Sequence, residues 1–333
     1  MSEFTVRLMT ADDAEQLVGL VRKCYGEGYP NKILYRPEEI AAALENGLMH
    51  SIVSEGADGR LIGHCALTFS EQGAPIPEAG KMVVDPDCRG QHLSNRLAEH
   101  RKAVAIENNL LGYWSECVTN HPFSQHEIID SGGVETGAFI AKDAPTWHMA
   151  GVNNVTDVRL SLMTYYIPLR TAPVRTIYLP DRYAEFAGSL AQGLGVERDI
   201  VQQGPEAETR TVLNYSTNPG NQFAQIVVSV VGTDMGPTIA KLVDRLETDG
   251  IQVFHLDMPL GAPNTLRAIP ELERQEFFWA AWMPEFSRAG DVLRLQKTDA
   301  AVNPQEIVCA RENGEQIKQH VLAERARVMK ESN

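Results

Sequence analysis

Between residues 17 and 24 the apolar side chains fall at Leu17, Leu20, Val21 and Cys24, the spacing of one buried helical face. Val6–Met9 before them reads as a short strand, and Thr10 followed by Ala11, Asp12 and Asp13 reads as a helix N-cap with acids in the first turn. Arg36–Glu45 predicts a second helix, with Pro37 in its first turn and Gly47 beyond its end. Met49–Ser54 and Leu61–Phe69 predict strands around a Gly- and Asp-containing turn, and Glu78–Val84 predicts another. Then come a helix over Arg89–Asn108, a strand over Leu111–Val118, a helix over Pro122–Asp130 stopped by Gly132 and Gly133, and strands over Val134–Ile140 and Val158–Ile167. This order, β-α-α-β-β-β-α-β-α-β-β, is mixed α/β with short connections and lacks the strict alternation of a doubly wound fold.

The pattern then restarts. Thr176–Leu179 is a strand, and Asp181–Leu194 is a helix with Tyr183, Phe186, Leu190 and Leu194 on one face. Arg210–Ser216 and Phe223–Val231 are strands, Pro237–Thr248 a helix, Ile251–Met258 a strand, Leu266–Arg274 a helix, and Phe277–Trp282 and Val292–Gln296 strands. The second series repeats the first with one early helix missing, which predicts tandem domains over residues 1–170 and 171–333, the second a diverged copy. A last helix, Pro304–Met329, carries Ile317, Val321 and Val328 on one stripe. It is expected to pack on the second domain or a partner, and Gly314 is expected to divide it.

Composition narrows the class. The 333 residues are 43% hydrophobic and 22% charged, enough to bury two cores. No run of eighteen apolar residues is present, so no membrane helix is expected. The opening Met-Ser-Glu-Phe lacks the basic and apolar regions of a signal peptide, which predicts a cytoplasmic protein. Thirty basic against forty-four acidic side chains give a formal net charge of −14. That field repels phosphate backbones and argues against nucleic acid. It would suit a cationic amine, or solubility alone. Five cysteines without CxxC spacing predict reduced thiols, and the histidine spacing predicts no metal site.

The chemistry concentrates in Glu78–Leu97. A strand ends in Val84-Asp85-Pro86-Asp87-Cys88, and Arg89-Gly90-Gln91-His92-Leu93-Ser94 opens a helix with Leu93, Leu97 and Val104 on its buried face. The unpaired N–H groups and positive dipole end of such a helix, with Arg89 beside them, form a site for pyrophosphate. The fingerprints of P-loop and dinucleotide-binding proteins are both absent.

This segment resembles the acetyl-CoA motif of the GNAT superfamily of N-acetyltransferases, V-x-P-x-x-[RQ]-x-x-G-x-[GA]. Val84, Pro86 and Arg89 match in type and spacing, and Gly90 fits the common Arg-Gly form. His92 and Ser94 stand where the family usually has small residues. The motif covers about half the chain, and the second half is similar in element order only. Tyr25–Asn31, His121–Gln125 and Val134–Gly137, with Leu256–Leu260 and Phe277–Trp282 later, are similar to a bacterial and archaeal GNAT subgroup with a C-terminal domain. That likeness implies no particular acceptor.

The resemblance implies acetyl-CoA or another acyl-CoA as co-substrate. It implies that Met82, Val83 and Val84 bond the pantetheine arm through their backbone, and that Arg89, Gly90, Gln91, His92, Leu93 and Ser94 hold the pyrophosphate. Asn120 and Ser124 are expected along the pantetheine. Glu78 is the expected base, on the same strand face as Gly80, Met82 and Val84, with Glu116 on the next strand as a second base or substrate anchor. The tyrosine that often reprotonates the thiolate corresponds to Ile128. The leading expectation is an acyl-CoA:amine N-acyltransferase acting by direct attack. A non-catalytic acyl-CoA sensor and a GNAT-fold enzyme of other chemistry, such as thioester cleavage or decarboxylation, stay open. The second half is expected to shape the acceptor site or a homodimer contact.

Overall fold

Leu17, Leu20, Val21 and Cys24 all turn inward in the computed structural model, which describes residues 4–29, 31–145 and 158–331. Each such burial removes enough apolar area from water to stabilise the fold by about 1.5–3 kcal/mol. The first series of elements is β1 (Phe4–Leu8), α1 (Ala14–Tyr25), α2 (Pro37–Glu45), β2 (Met49–Gly56), β3 (Leu61–Thr68), β4 (Glu78–Val84), α3 (Leu93–Glu107), β5 (Gly112–Val118), α4 (Phe123–Asp130), β6 (Val134–Asp143) and β7 (Leu160–Pro168). The second is β8 (Arg175–Tyr178), α5 (Asp181–Leu194), β9 (Arg198–Val201), β10 (Val212–Asn218), β11 (Phe223–Val230), α6 (Met235–Thr248), β12 (Val253–Pro259), α7 (Thr265–Glu273), β13 (Phe278–Ser287), β14 (Gly290–Lys297) and α8 (Glu312–Glu331). The fold is mixed α/β, as the periodicity predicts. The start of the expected strand Val158–Ile167 precedes β7, which begins at Leu160.

Twelve strands form one sheet in the order β1-β2-β3-β4-β5-β7-β6-β13-β14-β12-β11-β10. Within it β3–β7 and β10–β14 follow one plan. Each set has an antiparallel pair, then a parallel neighbour across a helical crossover, then an antiparallel strand that pairs with the one preceding it in sequence. The two sets meet at corresponding strands, β6 and β13, through the Ala281–Gly137 pair. Backbones come so close there that a Cβ on Gly137 would overlap the Ala280 carbonyl. Gln296 extends the junction, its amide donating to the Ile140 carbonyl at 2.5 Å and accepting from the Ile140 N–H at 2.9 Å. β8 and β9 form a separate parallel pair, and β9 lies in a stretch without a strand pattern.

Ile52 and Val53 are adjacent on β2 and point to opposite faces. Val53 joins the apolar cluster under α1 and α2, whereas Ile52 joins the one under α3 and α4. That second cluster runs unbroken through Tyr183, Leu256 and Trp279 to Val328, so one core serves both halves.

The chain's end departs from expectation. Gly314 does not divide α8. The break lies earlier, between a short 3-10 turn at Pro304–Glu306 and Glu312. Gly314 packs against Cys309, and a larger residue would crowd it. Ile317, Val321 and Val328 are buried as expected, but α8 covers both halves. Arg311 makes a two-pronged pair with the buried Glu135 of β6, at 2.9 and 2.7 Å. Arg327 bonds Glu273 of α7 at 2.6 Å. Gln125 of α4 donates to the Val308 carbonyl at 2.8 Å and pins the preceding segment to the first half.

Candidate active site

β4 is bent at Lys81. The register with β3 shifts between the His64–Val83 and Ala66–Gly80 pairs, and Lys81 has a φ of +56°. Such a conformation strains a residue with a Cβ by about 1–2 kcal/mol, and a buried histidine holds it. Nδ1 of His64 lies 2.9 Å from the Lys81 carbonyl, which can only accept, so Nδ1 carries the proton. Nε2 then accepts from the Ser51 hydroxyl at 3.0 Å. Burial pushes the His64 pKa down to about 4, so the ring is neutral.

On its other side β4 meets β5 in a single register pair, Glu78–Trp114. Trp114 N–H donates to the Pro77 carbonyl at 3.0 Å, and the Ser115 hydroxyl to the Ala79 carbonyl at 2.8 Å. Beyond Ala79 the parallel strands part. Their counterparts β11 and β12 stay zipped over five pairs, Phe223–Val253 to Val227–Asp257. The split exposes strand edge on Gly80–Val84, where an extended chain can pair. Met82 accepts a long hydrogen bond from the Tyr25 hydroxyl at 3.4 Å. The Val83 side chain is buried under α1, so it can meet a ligand only through its backbone.

At the mouth of the split, Lys23 of α1 contacts Asp85 and Asp87, each at 2.7 Å, and fixes the turn after β4. Gly90 and His92 follow with φ of +77° and +60°. Two left-handed residues cannot continue a helix, so α3 starts at Leu93, four residues later than the pattern suggested. The backbone from Arg89 to Ser94 instead turns through two left-handed residues into a helix N-terminus, whose free N–H groups can bind phosphate oxygens. His92 adopts the conformation glycine usually supplies, so the substitution leaves the turn intact. Arg89 is exposed and makes no ion pair among the described residues. Gln91 and Ser94 are half-buried beside it, and the Leu93 side chain enters the core.

Where the strands diverge lies a cleft of about 430 Å³. Glu78, Gly80 and Lys81 line it from β4, Glu116 and Val118 from β5, and Lys142 and Asp143 from β6. Tyr29 and Asn31 come from the loop after α1, and Asn218, Asn221 and Phe223 from the second half. Glu78 is one-third exposed, and its carboxylate is 3.7 Å from Lys81 Nζ. Glu116 is engaged differently, since Lys142 Nζ donates to its two oxygens at 2.5 and 2.6 Å. Burial works to neutralise Lys142, but Glu116 and Asp143 outweigh it and hold its pKa above the usual lysine value. Burial pushes the Asp143 carboxyl up, and Asn221 donates to it at 2.9 Å.

The structure thus gathers Glu78, Glu116, Met82–Val84 and the Arg89–Ser94 turn around one split sheet. Asn120 and Ser124 follow the end of β5, and Asn120 Oδ1 is buried without a hydrogen-bond partner among the described residues. Ile128 is buried in the core and offers no proton. Burial pushes the Cys117 thiol up to about 12, so it stays protonated. Sequence reasoning missed Lys81, Lys142 and Asp143, and all three contributors from the second half. No alternation in Val134–Asp143 marks Lys142 or Asp143, because the strand is irregular past Phe139.

A strand parted from its parallel neighbour beside a left-handed turn and a helix N-terminus is the arrangement that the sequence resemblance implies for acyl-CoA. The comparison with protein families is specific: residues 14–126 match the acetyltransferase (GNAT) family, so the chain carries a GNAT acetyltransferase domain and is an acyltransferase that uses acetyl-CoA. Solved structures are similar over about half of the chain. Spermidine N-acetyltransferase from Vibrio cholerae, in complex with CoA and spermine, is 17% identical over 50% of this chain and 95% of its own, with a TM-score of 0.39. Mutant forms of the spermidine/spermine N-acetyltransferase SpeG from that organism are also 17% identical, over 50% and 95%, with a TM-score of 0.38. A search of curated proteins gives no match. Among the described residues no helix is long and apolar enough to cross a membrane.

Proposed function

We propose that the protein transfers an acyl group from acetyl-CoA to the amine of a small molecule by direct attack within a ternary complex. The parting of β4 and β5 after the Glu78–Trp114 pair carries this reading. It opens a slot for the pantetheine arm between the turn at Arg89 and the charged cleft. Arg89 and the backbone of Gly90–Ser94 hold the pyrophosphate, Gly80–Val84 pair with the arm, and Asn120 and Ser124 flank it.

The acceptor enters the cleft as an ammonium ion and must lose a proton before it can attack. Glu78 is the better base, because it makes no close ion pair, whereas Glu116 already accepts two hydrogen bonds from Lys142. Glu78 takes one proton from the ammonium, the nitrogen attacks the thioester carbonyl carbon, the C–S bond breaks, and the second amine proton passes to the departing thiolate, giving the amide and CoA with a free thiol. Holding both substrates in one cleft supplies much of the rate. The second half, a diverged GNAT-like domain spanning about residues 171–333, completes the acceptor wall with Asn218, Asn221 and Phe223.

CoA release from acetyl-CoA, measured with and without a pool of small amines, tests the reading. Amine-dependent release that falls with Glu78→Gln supports it. Binding of acetyl-CoA without release from any amine would instead favour a sensor.

A further inference from the structure

Two charged groups in the cleft lack close partners, and they are neighbours. Lys142 is satisfied by Glu116, and Asp143 by Asn221. Lys81 differs. Its side chain is 4% exposed, yet Nζ makes no hydrogen bond among the described residues; the Glu78 carboxylate, at 3.7 Å, is its nearest ion-pair partner. The strained bulge, fixed by His64, holds Lys81 there. An ammonium that lines a cleft with only a carboxylate 3.7 Å away can take its acceptors from a ligand there.

We infer that the acceptor is an amino acid, whose carboxylate binds Lys81 while its amine faces Glu78. This rests on the acyltransfer reading above and names the substrate class of the same site. The geometry limits the spacing. Two groups 3.7 Å apart can bond the carboxylate and amine of one molecule only when one or two carbons separate them. The cleft's charges agree. Its three carboxylates are interleaved with two ammonium groups, Lys81 and Lys142. A zwitterion complements that alternation, whereas a polyamine would bring several cations against two fixed ones. Lys81 is therefore a specificity-determining residue, and it leaves the proton transfer to Glu78.

The test compares matched pairs, each an α-amino acid and the amine that lacks its carboxylate, with acetyl-CoA and the full-length protein. The readout is the ratio of kcat/KM within each pair. The wild type should prefer the amino acid by about 10- to 100-fold, the worth of one charge-assisted hydrogen bond. Lys81→Met should bring the ratio close to one, mainly through KM for the amino acid. Lys81→Arg should retain the preference and shows that a cation at this position suffices. A wild type that prefers the amines would overturn the inference while leaving acyltransfer standing, as would an unchanged ratio in Lys81→Met. Turnover of neither class by protein that binds acetyl-CoA would remove both readings.

Discussion

His64 donates from Nδ1 to the carbonyl of Lys81, 2.9 Å away, and so ties a buried neutral ring to the bend in β4. The folded ring has a pKa of about 4, lowered by burial from the ordinary 6.5. As pH falls, the unfolded chain takes up a proton on this ring before the folded one does. The stabilisation is therefore full above about pH 6.5 and is lost as pH falls toward 4, the loss amounting to about 2 kcal/mol at pH 5. Urea unfolding at pH 8 and pH 5 checks this. His64→Asn, which keeps a donor for Lys81, should lose less stability between the two pH values than the wild type. Equal losses would remove His64 as the source.

Arg89 and Glu78 should fail in different ways. In the proposed reading Arg89 holds the pyrophosphate and Glu78 faces the acceptor, a strand length away. Arg89→Ala should weaken acetyl-CoA binding by about 1.5–3 kcal/mol, the range for a charged hydrogen bond. Glu78→Gln should leave that affinity nearly intact, lower turnover and remove the rising limb of the pH–rate profile. Calorimetry and steady-state kinetics on the same preparations separate the two. Unchanged turnover in Glu78→Gln would move the base to Glu116 or to water.

One acetyl-CoA should bind per chain. Five register pairs close β11 against β12, so the second half has no slot to match the one beside β4. The segment after β11, Val231-Gly232-Thr233-Asp234, also lacks an arginine and carries an acid. Asp234 is held in its charged form by the Thr211 N–H and hydroxyl, both at 2.8 Å. A calorimetric stoichiometry of two would contradict this.

The two halves should not function apart. Gln296→Ala strips both backbone partners from the buried Ile140, which predicts a loss of about 1–3 kcal/mol per unsatisfied group. Residues 1–170 alone would expose the β6 edge and lose the cleft wall of Asn218, Asn221 and Phe223. A soluble 1–170 fragment as active as the full chain would show that the second half is dispensable.

Local chemistry was readable in the sequence wherever one segment decides it. Alternation and end signals fix Glu78–Val84 and Asp181–Leu194 to the residue. The start of α3 was misplaced because nothing local reveals that His92, like Gly90, takes a left-handed conformation. Gly314 misled for the opposite reason: a tight contact with Cys309 explains it, without any break in the helix. The least visible features depend on distant pairings. Glu116 and Lys142 are 26 residues apart and meet only across β5, β7 and β6. The β6–β13 junction brings Asn218, Asn221 and Phe223 to a cleft otherwise built by the first half. Lys81 reads as one more residue of an alternating strand, and only the bulge held by His64 turns it toward the cleft.

The central claim is amide formation from acetyl-CoA at this cleft, and the fate of the acyl carbons tests it most directly. The wild-type protein is incubated with acetyl-CoA labelled with carbon-13 in the acetyl group and a pool of amino acids and amines, and the products are followed by mass spectrometry. The account predicts that the label accumulates in an N-acetyl amide at the rate of CoA release, and that Glu78→Gln slows both together. Label recovered only as free acetate, at a rate indifferent to the amines, would contradict it.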